Sequence, residues 1–118
     1  RLAWLQTEKL NDNERALVAT AGALALAQTG LSLTKNGSEQ YINLRGEEML
    51  AEEVRGTALL RSKRLVESIE ATRRGLAIAD ELLAMKISDA QREEFKRERL
   101  FLEQRIASVA AARMLAKP

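Results

Sequence analysis

Apolar residues recur at helical spacing through nearly all of the chain. Leucines fall every seven residues in the first segment, at Leu10, Leu17, Leu24 and Leu31. A seven-residue spacing keeps one seam of a helix facing a partner helix, and the neighbouring alanines let that partner approach closely. We therefore predict an all-α fold of long helices in an elongated hairpin or bundle, with coiled-coil-like seams.

The predicted elements form a single helical domain, or a fragment of one, over residues 1–118. The sequence predicts a first helix at about 2–29, a linker at 30–37, a long helix at about 38–86 and a last helix at about 89–116. Gly30 suits a helix C-cap with positive φ, and the alternating Leu31 and Leu33 would bury one face of an extended link. Ser38 is a plausible N-cap, and we expect the long helix to be broken or kinked near Gly46.

The last helix has the clearest start signal. Ser88 is followed three residues later by Gln91, which matches a capping box. We expect its apolar stripe, together with those of the other two helices, to form the packing and oligomer seams. The seam residues are Leu10, Leu17, Ala21, Leu24, Leu65, Ile69, Leu76, Leu83, Phe95, Leu102, Ile106 and Val109.

Composition restricts the chemistry that the chain can perform. There are no cysteines and no histidines, which excludes disulfides, Cys/His zinc sites, thiol nucleophiles and histidine catalysis. Glu48 and Glu52 lie four residues apart on one helix face, but we expect them to be solvated and paired with arginines such as Arg45, Arg55 or Arg97. We predict no enzyme activity, no cofactor, no metal and no small-molecule substrate.

Charge and hydropathy bear on the partners. The formal net charge is only +2, so we do not expect specific nucleic-acid binding, although one cluster forms a candidate basic patch. Residues 16–34 lack charge over a length close to a membrane span. We expect a tightly packed helix there and keep membrane contact as an alternative. The candidate patch consists of Arg61, Lys63, Arg64, Arg73 and Arg74.

The stretch from Ala21 to Arg55, "AGALALAQTGLSLTKNGSEQYINLRGEEMLAEEVR", resembles a segment of the internal virion proteins, or ejection proteins, of short-tailed bacteriophages. In that family an Ala-rich helix ends in Gly plus an aliphatic residue, an alternating stretch leads to Asn-Gly-Ser, and a second helix carries Gly-Glu. This chain lacks the family's arginine in the Ala-rich helix just before the turn, and its gap between Gly-Ser and Gly-Glu is about one helical turn shorter. The matching positions are Gly30, Leu31, Leu33, Asn36, Gly37, Ser38, Gly46, Glu47, Val54 and Arg55.

The resemblance implies a virion structural protein stored inside the capsid near the portal. It would then enter the host envelope and help to form a conduit for DNA. Its partners would be copies of itself and other virion proteins.

Two alternatives remain. The first is a bacterial coiled-coil interaction or adaptor protein of the cytoplasm or periplasm, which would show the same apolar stripes. It includes the reading in which "LRGEEMLAEEV" is similar to the Leu-Arg-Gly helix of polysaccharide chain-length determinants. The second is a helical nucleic-acid-binding protein.

Overall fold

Four α-helices follow one another along the chain in the computed structural model, which describes the backbone of residues 2–116 and the side chains of residues 12–115. They are α1 (Leu2–Ser32), α2 (Glu39–Arg61), α3 (Leu65–Leu83) and α4 (Asp89–Ala116). This part of the chain is all-helical, as the sequence predicts, and it is elongated, measuring 49 × 27 × 22 Å.

Consecutive helices run in opposite directions. Between α2 and α3, Arg45 pairs with Glu81 and Glu52 pairs with Arg74. Gly75 lies against Leu102, which joins α3 to α4. The sequence predicted two long helices after residue 38, but the structure contains three shorter ones. The predicted helix at 38–86 is divided because the chain reverses between α2 and α3.

The main core lies between α2, α3 and α4. Ile42 and Met49 come from α2, Leu82 from α3, and Phe95 and Leu102 from α4. Burying large apolar side chains from all three helices in one cluster removes them from water and fixes the helices against one another. These three helices thus form a compact bundle by themselves.

Helix α1 is attached to this bundle along one side. Six of its eight described buried or half-buried residues alternate in spacings of four and three, which is the pattern of a helix packed against one neighbour. This stripe consists of Asn13, Leu17, Thr20, Leu24, Ala27 and Leu31. Leu17 joins Ala58 and Leu59 of α2 and Ala71 of α3 in a second, smaller apolar cluster.

Helices α1 and α4 contact different sides of α2. Leu44 of α2 lies against Gly30 of α1, whereas Gly46 of α2 faces Phe95 of α4 at 3.8 Å from the position of an added Cβ. Helix α4 packs on the side of the bundle away from α1. The side of α1 that faces away from α2 is therefore not covered by α4.

The α1–α2 turn differs from the expectation in three respects. Helix α1 does not stop at Thr29 but continues to Ser32, and Gly30 lacks the positive φ of a C-cap. An added Cβ at Gly30 would lie 3.0 Å from Leu44 Cδ1, so the glycine permits close helix packing. The prediction that Leu33 is buried in an extended link is wrong, because its side chain is 83% exposed.

The start of α2 follows local rules that the sequence displays. Gly37 has φ +83°, a conformation that glycine adopts at little cost. Ser38 then caps the helix, with its side chain accepting a hydrogen bond from the Tyr41 N–H at 3.2 Å.

The break expected near Gly46 is not there: α2 passes through Gly46 and ends at Arg61. The reversal occurs at Lys63, a non-glycine residue with φ 60°. The Arg64 N–H donates to the Leu59 carbonyl at 2.8 Å and the Lys63 N–H donates to the Leu60 carbonyl at 3.0 Å. These two bonds form a Schellman motif, in which a left-handed residue ends the helix.

Helix α4 begins after a reciprocal capping box. The Gln91 N–H donates to Ser88 Oγ at 3.1 Å, and the Ser88 N–H donates to Gln91 Oε1 at 2.9 Å. This is the arrangement that the Ser88–Gln91 spacing predicts, because both partners lie within one turn of the same chain segment.

Candidate interaction surface

The surface of α1 that α2 leaves uncovered exposes large apolar side chains in a segment without charge. We define it as the outer face of α1, composed of Val18, Ala19, Gly22, Leu26 and Thr29. Val18 is 72% exposed and Leu26 is 75% exposed. Single exposed apolar residues are ordinary on proteins. This face is unusual because Val18 and Leu26 have no charged neighbour in the sequence between Ala16 and Thr34.

A shallow groove continues this surface towards α2. It has a volume of about 310 Å³ and is lined by alanines of α1, among them Ala19 and Ala23, and by Leu50 and Val54 of α2. Leu50 is 42% exposed and Val54 is 49% exposed. The small alanines set the depth of the groove, and the two aliphatic side chains form its far wall.

Glu48 and Glu52 are not solvated, contrary to the sequence prediction. Their exposed fractions are only 6% and 3%. Glu48 accepts a hydrogen bond from Arg45, and Glu52 accepts one from Arg74 of α3. Two carboxylates therefore point into the α2–α3 interface, where each pairs with an arginine because an unpaired buried charge is costly.

Glu81 of α3 is the centre of a small polar network. Its carboxylate accepts hydrogen bonds from the Tyr41 hydroxyl and from the Arg45 guanidinium, whose Nε lies at 3.0 Å. Burial acts to raise the pKa of Glu81, but the hydrogen bonds from Arg45 and Tyr41 outweigh it and hold the pKa below its ordinary value. The same bond to Glu81, together with burial, raises the pKa of Tyr41.

A second carboxyl lies between α2 and α4. Burial, followed by the hydrogen bond and the negative charge of Glu98, raises the pKa of Glu53 to about 8, and Arg105 opposes this rise. Arg105 Nη1 donates to the Glu53 carbonyl oxygen at 3.1 Å and to Thr57 Oγ1 at 2.5 Å. Glu53 Oε2 is buried without a hydrogen-bond partner among the described residues, which is the environment that favours a protonated carboxyl.

These acidic groups serve packing between helices. Within the described residues, no group of three or more Asp or Glu side chains is arranged to hold a metal ion. Each of the carboxylates described above is hydrogen-bonded to an arginine or faces one across a helix interface.

The candidate basic patch is divided by ion pairs. All five residues are exposed, but Arg64 pairs with Glu67 and Arg74 is directed towards Glu52. Arg73 shares a shallow cavity with Glu70. The positive charges are therefore interleaved with carboxylates, as on an ordinary solvated surface.

The seam residues differ in burial. Five are buried inside this chain: Leu17, Ile69, Phe95, Leu102 and Val109. The half-buried residues are Leu24, Leu65, Leu76, Leu83 and Ile106, whereas Ala21 is exposed and lies outside the stripe that contacts α2. The side chain of Leu10 lies outside the described residues.

Sequence reasoning missed Val18 and Leu26 as members of a surface. Val18, Gly22 and Leu26 follow one another at intervals of four residues, and this spacing is visible in the sequence. The sequence alone did not reveal which of several apolar stripes on α1 would be covered by α2.

No helix within the described part of the chain combines the length and the apolarity that spanning a membrane requires. Searches of protein-family models, curated proteins and solved structures found no match to this chain.

Proposed function

We propose that this chain is a non-enzymatic structural protein that works by associating with further copies of itself and with other proteins of its assembly. One observation carries the proposal: the outer face of α1 presents Val18 and Leu26 to solvent within a segment free of charge from residue 16 to residue 34. Surfaces of this kind are typical of sites where proteins bind one another.

The position of α1 supports the same proposal. It runs for 31 residues, and over residues 12–32, where its side chains are described, it packs chiefly on α2 and leaves most of its residues exposed. The α2–α4 bundle has its own core. A long helix held at the edge of a separately packed bundle is suited to joining one molecule to the next.

The resemblance to internal virion proteins gives this proposal its specific form. Six of its ten matching residues, from Gly30 to Ser38, lie at the junction of α1 and α2, and the other four lie within α2. In that form the protein assembles near the portal inside the capsid and later contributes to a DNA-delivery conduit in the host envelope. The uncharged segment 16–34 would contact neighbouring subunits or the lipid surface.

The test is the mass and shape of the protein in solution, measured by light scattering and negative-stain imaging with and without lipid vesicles. A closed ring or tube, or an oligomer that engages vesicles, is the expected result. A stable monomer that ignores lipid at all concentrations would overturn the proposal.

A bacterial adaptor is the second candidate, and the groove between α1 and α2 favours it. An amphipathic helix from another protein could place its apolar residues between Ala19 and Val54. Such an adaptor would bind one defined host protein and would not assemble into a closed ring, which distinguishes it from a self-assembling particle.

Nucleic-acid binding is the least supported alternative. Arg64 and Arg74, two of the five basic residues, are paired with carboxylates. Fluorescence anisotropy with duplex DNA should show only weak binding that disappears as salt is added.

A further inference from the structure

We propose that two copies of the chain associate through the outer faces of α1 in an antiparallel, two-fold symmetric contact centred on Gly22. This inference rests on the self-association in the proposed function and specifies its geometry. The occupant of the outer face is thus a second copy of the same helix.

The spacing of the exposed residues matches such a symmetry. Val18 and Leu26 lie four residues before and after Gly22, about one helical turn in each direction. In an antiparallel pair that crosses at Gly22, Val18 of one copy faces Leu26 of the second copy, and Leu26 faces Val18. Both large apolar residues are then covered by the same contact, as an isologous interface requires.

Gly22 permits the close approach. Among the described residues, a Cβ added at this position would meet no atom within 4 Å beyond the neighbouring backbone of its own helix, so packing between these residues does not account for a glycine there. A glycine in the middle of a helix costs about 1 kcal/mol relative to alanine. A crossing partner helix supplies a reason for it, because two backbones can come closest where side chains are absent.

Charge favours the antiparallel orientation. Arg15 lies on the same side of α1 as Gly22, one and a half to two turns towards the N-terminus. In a parallel pair the two Arg15 side chains would face each other and repel. In the antiparallel pair each faces the uncharged Thr29 region of the second copy, and the two helix dipoles oppose each other favourably.

The available area is sufficient for a reversible dimer. Residues 16–33 span about 27 Å of helix with a width of about 10 Å. Because side chains protrude from the helix, the accessible surface is larger than this flat area, on the order of 500 Å² per copy. The total of about 1,000 Å² is near the lower limit for a specific interface. We therefore expect association in the micromolar range.

Disulfide trapping tests the geometry directly, because the chain contains no cysteine. Helices packed 8–10 Å apart bring facing Cα atoms to roughly 4–6 Å, which a disulfide can bridge. We expect Gly22→Cys to cross-link to itself under mild oxidation. Val18→Cys and Leu26→Cys should each cross-link poorly alone but readily when mixed. Ser108→Cys, at an exposed position of α4, measures the rate of random collision.

The outcomes separate this inference from the broader proposal. Self-linking of Val18→Cys and of Leu26→Cys would indicate a parallel pair and overturn the antiparallel contact. An oligomer whose α1 cysteines link no faster than Ser108→Cys would overturn the contact while leaving self-association intact. A monomer at every concentration would overturn both.

A variant without cysteine provides an independent readout. Leu26→Glu places a charge at an exposed position, where the fold of the monomer tolerates it, and buries that charge in the proposed contact. We expect its dimer dissociation constant to rise at least tenfold in analytical ultracentrifugation. An unchanged dissociation constant would overturn the contact.

Discussion

Glycines in this chain have different roles that only their surroundings reveal. An added Cβ at Gly56 would lie 2.7 Å from Thr72 Oγ1. Thr72 is fully buried and donates its hydroxyl proton to the Ser68 carbonyl oxygen at 2.7 Å, so it cannot easily move. Gly56 is therefore required by the contact between α2 and α3, whereas a Cβ at Gly22 would meet no other helix in the part of the chain that the structure describes.

We expect Gly56→Ala to lower the free energy of unfolding by about 1–3 kcal/mol, because overpacking at Thr72 outweighs the gain in helix propensity. Gly22→Ala is the matched control and should raise it by about 0.5–1 kcal/mol. Urea unfolding of dilute protein measures both. Equal stabilisation by the two substitutions would mean that the Gly56 contact is loose.

Glu53 predicts a dependence of stability on pH. Its pKa is raised from 4.5 to about 8, so between these values the folded chain holds a proton that the unfolded chain has lost. The contribution of Glu53 to the free energy of unfolding is therefore greatest below pH 4.5 and declines as the pH rises towards 8.

In Glu53→Gln this contribution no longer changes with pH, and at pH 9 the variant should be more stable than the wild type by roughly 1–3 kcal/mol, a range that allows for screening by water. Glu47→Gln, at an exposed position of the same helix, should retain the wild-type profile. Urea unfolding from pH 5 to pH 9 provides the comparison. Parallel profiles for the wild type and Glu53→Gln would contradict the assignment.

The division between α2 and α3 depends on a residue that is poorly suited to its conformation. Lys63 adopts φ 60°, which costs a residue with a Cβ roughly 1 kcal/mol or more. Its side chain is exposed, and the two backbone hydrogen bonds of the Schellman motif hold the turn. The packing of α3 against α2 compensates for this local cost.

Lys63→Gly should therefore raise the free energy of unfolding by about 0.5–1 kcal/mol, since glycine adopts positive φ without the steric cost. Lys86→Gly is the matched control, because Lys86 is an exposed lysine in the α3–α4 connection whose φ is not positive. There the extra freedom of the unfolded chain should leave stability unchanged or reduce it slightly. Thermal unfolding followed by circular dichroism distinguishes the two. A gain at both sites would indicate a cause other than φ.

The attachment of α1 to one side of a bundle shapes the entire chain. The Cα radius of gyration is 15.8 Å, compared with about 13.5 Å for a compact domain of this length. The difference follows from a long first helix that extends along the α2–α4 bundle and adds length without closing a second core.

Small-angle scattering should detect the consequence. We expect the radius of gyration of the wild type to rise with protein concentration as α1 faces pair, and that of Leu26→Glu to remain constant. Leu115→Glu removes an apolar residue that is 87% exposed at the end of α4, and it should behave like the wild type. If all three proteins scatter alike, α1 does not carry the association.

The helical fold class, the Ser38 and Ser88 caps and the uncharged character of residues 16–34 could be predicted from the sequence. Each of these depends on residues within a few turns of one another, so periodicity and capping chemistry are enough to predict them.

Three features depend on packing between helices and could not be predicted from local sequence. They are the break at Lys63, the burial of Glu48 and Glu52, and the face of α1 that stays exposed. The break has no glycine to mark it and is maintained by packing between α2 and α3. The two carboxylates are buried where arginines pair with them, and Arg74 comes from the neighbouring helix. The sequence of α1 contains several apolar stripes, and the stripe that is buried is known only from where α2 packs.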